Sequence, residues 1–212
     1  MLAPDNTELH LNIFYLDHDP RAAAQAHCDK HVVKMVLETA QILSTAWHVL
    51  DGALLDTDLA STDPMFPMID VAKQKDAGLQ FGVTYYIGNQ RVYAPTHEHH
   101  PCSEWAREAT GNYEWLWRLG QHLCDEHRHR YGRDHLSRHV LRSLEFPPPH
   151  LAEGPQTEPP PAMTEEYVVE VDGYVDAVAS YRNYYRVGKR HLLTYRKRAP
   201  PVWVADLLPA PA

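Results

Sequence analysis

The chain has 212 residues, 44% of them hydrophobic, with 28 acidic against 20 basic side chains for a formal net charge of −8. That length accommodates one sizeable core, and the acidic balance argues against a protein that coats nucleic acid along its whole surface. Three scattered cysteines argue against a disulfide framework, and the lack of an 18-residue apolar run or a basic-then-apolar leader leaves a cytoplasmic protein with no membrane partner as the expectation.

Residues 1–10 read as a polar tail. Leu11-Asn12-Ile13-Phe14-Tyr15-Leu16 then predicts a short buried strand or extended segment, closed by Asp17-His18-Asp19-Pro20. Asp19 caps and Pro20 opens a helix whose periodicity continues to Leu50, with Gly52 ending it. Residues 51–94 form a variable insertion. Its first part, 51–78, has no periodicity, whereas 79–94 alternates and predicts a hairpin with Gly88-Asn89 at the turn between Val83-Thr84-Tyr85-Tyr86 and Arg91-Val92-Tyr93. A second long helix is expected from Pro101 to Arg130, stopped by a left-handed Gly132, with Gly111 and Gly120 permitting close approach or a break. Asp134 is placed to cap a shorter helix through Leu144. A Pro-rich connection follows over 147–162, then a last helix near Glu165 to Tyr185 and a tail over 204–212. The fold class is therefore mainly α, a single compact helical domain over 11–200 with a small β-hairpin elaboration.

The polar residues of the first helix are unusually placed. His27, His31, Lys34, Glu38, Gln41 and Thr45 fall within an arc of roughly 80°, while Cys28, Val32, Val33, Met35, Val36, Leu37, Ala40, Ile42, Leu43 and Trp47 fill most of the remainder. A narrow stripe of groups that titrate, ligate or hydrogen-bond suits a mostly buried helix facing a cleft; the plainer alternative is a solvated seam with incidental histidines. The run Thr96-His97-Glu98-His99-His100-Pro101-Cys102 sets His97 and His100 in the loop before the second helix and Arg107 in its early turns, so that these and Asn112 could face the same cleft.

Two chemistries fit. His27 and His31, four residues apart, with His97 and His100, form a candidate zinc set, although Lys34 would repel a cation and the His-Glu-x-x-His pattern is absent. The preferred reading needs no metal or other cofactor. Lys30 or Lys34 is an amine nucleophile, and Glu38 is an acid or base, or simply a salt-bridge partner of Lys34 one turn away. His31 and His100 complete the acid-base set, while His27, Gln41, His97, Arg107 and Asn112 contact substrate. Near the C-terminus, Arg182, Arg186, Lys189, Arg190, Arg196 and Arg198 alternate with Tyr181, Tyr184, Tyr185 and Tyr195. This is the chain's best footprint for DNA, with Arg182, Tyr185 and Arg186 as substrate contacts, or else a helix end balanced by cations with tyrosines on the core. Gly-rich phosphate-loop and dinucleotide fingerprints are absent.

Asn12-Ile13-Phe14-Tyr15-Leu16-Asp17, Asp19-Pro20, His27-Cys28-Asp29-Lys30-His31-Val32-Val33-Lys34-Met35, His100-Pro101-Cys102 with Trp105 and Arg107, and Arg130-Tyr131-Gly132 together resemble a small family found in tailed-phage genomes. Some of its members are named pyrimidine dimer DNA glycosylase. The resemblance implies a compact helical enzyme that exposes a damaged nucleotide and cleaves its glycosidic bond through an amine that forms an imine with the sugar. The phage glycosylases of that name use an N-terminal threonine amine with a helix-borne glutamate. This chain begins Met1-Leu2-Ala3, which leaves Lys30 or Lys34 as the substitute amine and Glu38 as the counterpart of the glutamate. The resulting expectation is a phage-type glycosylase/lyase acting on damaged or modified pyrimidines. Three alternatives stay open: a transferase that modifies hydroxymethylpyrimidines, a metal-dependent hydrolase with the histidine set, and a non-catalytic protein that binds a host factor.

Overall fold

The computed structural model describes residues 11–51, 54–55, 85–87 and 90–209. It is mainly helical. Asp19 caps α1 (Pro20–Ala26), its Oδ1 accepting from the N–H groups of Arg21 at 2.7 Å and Ala22 at 3.0 Å, with Pro20 in the first turn where a missing N–H is harmless. The expected single helix from Pro20 to Leu50 is two. The His27 imidazole Nδ1 reaches back 2.7 Å to the Ala23 carbonyl, the group that a continuing helix would bond to the His27 N–H, and His27 leaves the helix at ψ 137°. The chain re-enters helix as α2 (Asp29–Asp51), with Asp29 in its first turn and the Asp29 N–H donated to the distant Thr194 carbonyl at 2.8 Å.

α2 is the central element. Val32, Met35, Val36, Ala40, Ile42, Leu43 and Ala46 are all buried, and so are the polar His31, Glu38, Thr39, Ser44 and Thr45, so it has core around most of its circumference. Beyond it lies a small antiparallel sheet in the order β1-β2-β3, formed by β1 (Leu54–Leu55), β2 (Tyr85–Ile87) and β3 (Gln90–Val92). Ile87 pairs with Gln90, so the expected hairpin is present; its Gly88-Asn89 turn and most of the 51–84 connection lie outside the described residues.

The second long helix is also divided, into α3 (Pro101–Ala106) and α4 (Thr110–Tyr131), with Ala109 fully extended between them. Arg107 therefore terminates a short helix instead of sitting in the early turns of a long one. The break accommodates the Pro-rich connection: Thr110 and Gly111 donate their N–H groups to the Ala152 and Gly154 carbonyls, and a Cβ on Gly111 would stand 2.3 Å from the Gln156 nitrogen. Gly120 lets α4 approach α2, since a Cβ there would meet Thr39 Cγ2 at 2.9 Å. Gly132 ends α4 at φ 73°, as read from the sequence. The next helix, α5 (Arg138–Ser143), starts after Ser137, and Asp134 pairs with Arg138 at 3.4 Å instead of capping it.

The last helix is shorter than expected. Glu165–Tyr167 is a 3-10 turn, β4 (Glu170–Val171) and β5 (Tyr174–Val175) form a hairpin across Asp172-Gly173, and α6 (Ala177–Arg186) begins behind an Asp176 cap. Asp-Gly between alternating valines is a tight-turn signal that outranked the helical pattern there. Residues 204–208, read as tail, instead pack on the core through the end of α7 (Val202–Ala205) and the turn after it, with Val204 fully buried.

Candidate active site

Asn12 organises the entry to the site. Its Oδ1 accepts from the N–H groups of Ile13 and Phe14, both at 2.8 Å, its Nδ2 donates to the Ala162 carbonyl at 2.9 Å, and its own backbone N–H donates to Glu38 Oε2 at 3.1 Å. An asparagine that closes on its own following backbone turns the chain sharply. Two residues later Phe14 is held at φ 44°, a left-handed conformation that costs a bulky residue on the order of 1–3 kcal/mol and persists only where surrounding contacts enforce it. Its ring is laid on His31, centroids 4.3 Å apart and planes 19° apart.

The stripe of α2 separates into a closed part and an open part. His31 is buried, its Nδ1 2.5 Å from the Tyr185 hydroxyl; burial first, then the charges of His27, Lys189, Lys34 and His191, push its pKa down to about 2. His27 is fully buried, and desolvation takes it down to about 4. Both rings are neutral near neutral pH, so His31 supports Phe14 and Tyr185 as a structural floor. The open part begins one turn on. Lys34, with its side chain 40% exposed, places Nζ 2.8 Å from Oε1 of Glu38, whose side chain is 8% exposed. Burial raises the Glu38 pKa, against the lowering effects of Lys34, the Asn12 N–H and His97. Gln41 lies half-buried along the same face, and Thr45 Oγ1 accepts the Thr96 N–H at 3.0 Å, docking the 96–100 loop onto the stripe.

That loop carries the other expected residues. His97 is exposed and left-handed at φ 50°, with Nδ1 2.7 Å from Thr96 Oγ1. His100 caps α3, its Nδ1 accepting the Cys102 N–H at 3.2 Å. Arg107 donates to the Glu98 carbonyl at 2.6 Å and so braces the loop. The structure thus brings Lys34, Glu38, Gln41 and the His97 loop to one face, with Asn12 and Phe14, which the sequence reading placed in the entering segment without a role, beside them. The signal for Asn12 was available, since asparagine before an apolar run commonly closes on the backbone two residues on.

Several candidates stand elsewhere. Lys30 is exposed and takes no part in the Glu38 contact. Asn112 is fully buried, its amide committed to the Trp105 carbonyl and to Thr157, so it joins the two helices to the Pro-rich segment. In the basic aromatic stretch, Arg182 donates to the Leu16 carbonyl and to Asp17 Oδ2 at 2.9 Å, Arg186 makes a two-point contact with Asp206 at 2.7 Å, and Tyr185 is fully buried. These three are engaged within the fold, as in the alternative reading of cations balancing a helix end with tyrosines on the core. The zinc set does not assemble either: among the described residues no group of three or more His, Cys, Asp or Glu side chains is arranged to hold a metal, and His27 and His31 turn their Nδ1 atoms to Ala23 and Tyr185. A cavity of about 370 Å³ opens elsewhere, between Arg21, His122, Glu126 and Arg198, and includes none of the stripe.

A model of the pyrimidine dimer DNA glycosylase family matches residues 11–139, more than half of the chain, and the protein belongs to that family. The matched stretch contains every residue of the open face. Membership makes DNA the partner. No curated protein and no solved structure matches the chain. No helix among the described residues is long and apolar enough to cross a membrane.

Proposed function

We propose that the protein is a glycosylase/lyase for damaged or modified pyrimidines in DNA, pyrimidine dimers first, with Lys34 as its amine and Glu38 as the base that serves it. The observation that carries this reading is the 2.8 Å contact between an accessible ammonium and a carboxylate whose proton affinity burial has raised. An amine attacks only when unprotonated, and a carboxylate pushed upward is a better acceptor for the proton it must lose.

The steps use groups on the open face alone. Glu38 takes a proton from Lys34 Nζ, the freed lone pair attacks C1′ of the extruded nucleotide, and the C1′–N1 bond breaks with its electron pair departing on the base. Loss of the second Nζ proton to water and opening of the C1′–O4′ bond, with Glu38 giving its proton to O4′, leaves a protonated imine between Lys34 and the sugar and a carboxylate that is again a base. Glu38 can then remove a C2′ proton as the 3′ phosphate leaves. The acidic chain meets DNA through a local positive field: Lys34, Lys189 and His191 all act electrostatically on His31, and Lys189 lies 4.8 Å above the Tyr184 ring.

Borohydride trapping tests the proposal, using duplexes that contain an abasic site, a pyrimidine dimer or hydroxymethyluracil. The expected result is a covalent adduct with the abasic and dimer duplexes that disappears in Lys34→Ala, whose melting curve stays close to wild type. Trapping undiminished in Lys34→Ala removes Lys34 from the chemistry. No trapping by the wild-type protein on any duplex turns the reading towards base modification.

A further inference from the structure

The departing pyrimidine carries negative charge as the C1′–N1 bond breaks, and neither Lys34 nor Glu38 is free to neutralise it. Lys34 is forming the new bond, and the single proton that Glu38 takes from it is the one required at O4′ when the sugar ring opens. We infer that His97 is the proton donor to the leaving base, an assignment that rests on the glycosylase/lyase reading above and extends it to the base side of the reaction.

Three observations place it there. First, His97 lies in the loop that Thr96 docks onto Thr45 of the same helix stripe, it is open to solvent, and its charge acts on Glu38. Second, its backbone is held in position. Thr96 is tied to Thr45 of the stripe through both its N–H and its carbonyl, the His97 carbonyl accepts from the His100 N–H, the Glu98 carbonyl accepts from Arg107, and His97 itself adopts φ 50°. The surrounding contacts hold a non-glycine residue in that conformation, so the direction in which the exposed side chain leaves the loop is set by them. Third, the ring has one engaged and one open nitrogen. Nδ1 lies 2.7 Å from the Thr96 hydroxyl, and Nε2 has no partner among the described residues. A hydroxyl can donate to Nδ1 of the neutral ring or accept from Nδ1–H of the charged one, so this anchor survives both protonation states.

In the step itself, Nε2–H of the His97 imidazolium passes its proton to O2 of the pyrimidine as the C1′–N1 electron pair moves onto the base. The base departs neutral, and the imidazole recovers its proton from water. An abasic site has already lost its base, so its imine chemistry needs Lys34 and Glu38 but not this proton. The two substrates therefore separate the role of His97 from that of the rest of the site.

The test uses His97→Gly and His97→Asn, both residue types that tolerate a left-handed backbone, so the loop is not penalised by the change. Single-turnover excision is measured on a pyrimidine-dimer duplex and borohydride trapping on an abasic duplex. Excision is expected to fall by about 10²–10⁴-fold while abasic trapping stays at the wild-type level, and added imidazole should restore excision in His97→Gly. Equal loss on both substrates would show that the loop only supports the fold, and undiminished excision would show that the base leaves without this proton; either overturns the assignment. A wild-type protein that traps the abasic duplex keeps the glycosylase/lyase reading in place in both those cases, and one inert on both duplexes removes the reading and the assignment together.

Discussion

Glu38 and Glu126 are both buried glutamates beside cations, yet their pKa values are shifted in opposite directions. Around Glu126, burial alone would raise the pKa, but hydrogen bonds from Arg198 and Arg130 overcome it and the carboxyl stays below the usual range. Arg130, itself fully buried, donates to Glu126 at 2.7 Å, to Asp29 at 3.0 Å and to the Gln25 carbonyl at 3.2 Å, and Arg198 contacts the second Glu126 oxygen at 2.6 Å. Asp29 also accepts the Arg196 N–H at 2.9 Å. This is a clamp in which each buried charge has a fixed counterpart, and it fastens the C-terminal segment to the ends of α2 and α4. Glu38 has one partly exposed lysine and one backbone N–H, which leave burial dominant. The number of fixed cations around a buried carboxylate thus separates a structural joint from a group that can exchange a proton.

The largest contrast between the two regions should be in activity. Glu38→Gln is expected to lower single-turnover cleavage by about 10²–10⁴-fold, since an amide accepts the Asn12 N–H but takes no proton from Lys34. Lys30→Ala should leave cleavage unchanged, because that ammonium lies off the Glu38 contact; a large loss in Lys30→Ala would move the amine to the neighbouring position. The clamp should respond in stability instead. Arg130→Ala leaves Glu126 and Asp29 short of their shared partner, and urea denaturation should show a loss of about 3–5 kcal/mol. A loss below about 1 kcal/mol would mean that Arg198 alone neutralises the cluster.

The same contrast explains what could be read from the sequence. The stripe was legible because a period of 3.6 residues projects Lys34, Glu38 and Gln41 onto one line whatever surrounds them. Its subdivision was not, because what buries His31 is Phe14, a residue from another segment bent into place by the Asn12 side chain. The breaks at His27 and Ala109 were invisible to periodicity for a related reason: each depends on a side-chain or main-chain bond to a carbonyl that no repeat encodes. The basic aromatic stretch left two readings open because its cations could only be read without their counterions. Asp17 and Asp206 neutralise Arg182 and Arg186, and only the fold sets Asp17 beside Arg182. Local signals with a self-contained mechanism did hold, among them the Asp19 cap and the Gly132 stop.

The smallest effect is also the most direct measure of the difference between the two glutamates. Glu38 binds its proton more tightly folded than unfolded, so its contribution to stability is complete below its ordinary value of 4.5 and is lost as pH rises through the higher folded value. Glu126 binds its proton less tightly folded, so its contribution is present above 4.5 and is lost as pH falls through the lower folded value. Stability is therefore measured against pH for wild type, Glu38→Gln and Glu126→Gln, and each variant is subtracted from wild type. This removes the shared background from His27 and His31, whose neutral burial weakens the fold as pH falls below 6.5. As pH rises above 4.5 the wild type should lose ground to Glu38→Gln, and as pH falls below 4.5 its advantage over Glu126→Gln should shrink, each by no more than about 1.4 kcal/mol per pH unit. Parallel curves for the two variants would mean that both carboxylates are held charged. Glu38 would then be too weak a base to draw the proton from Lys34, and the chemistry would have to begin from a different group.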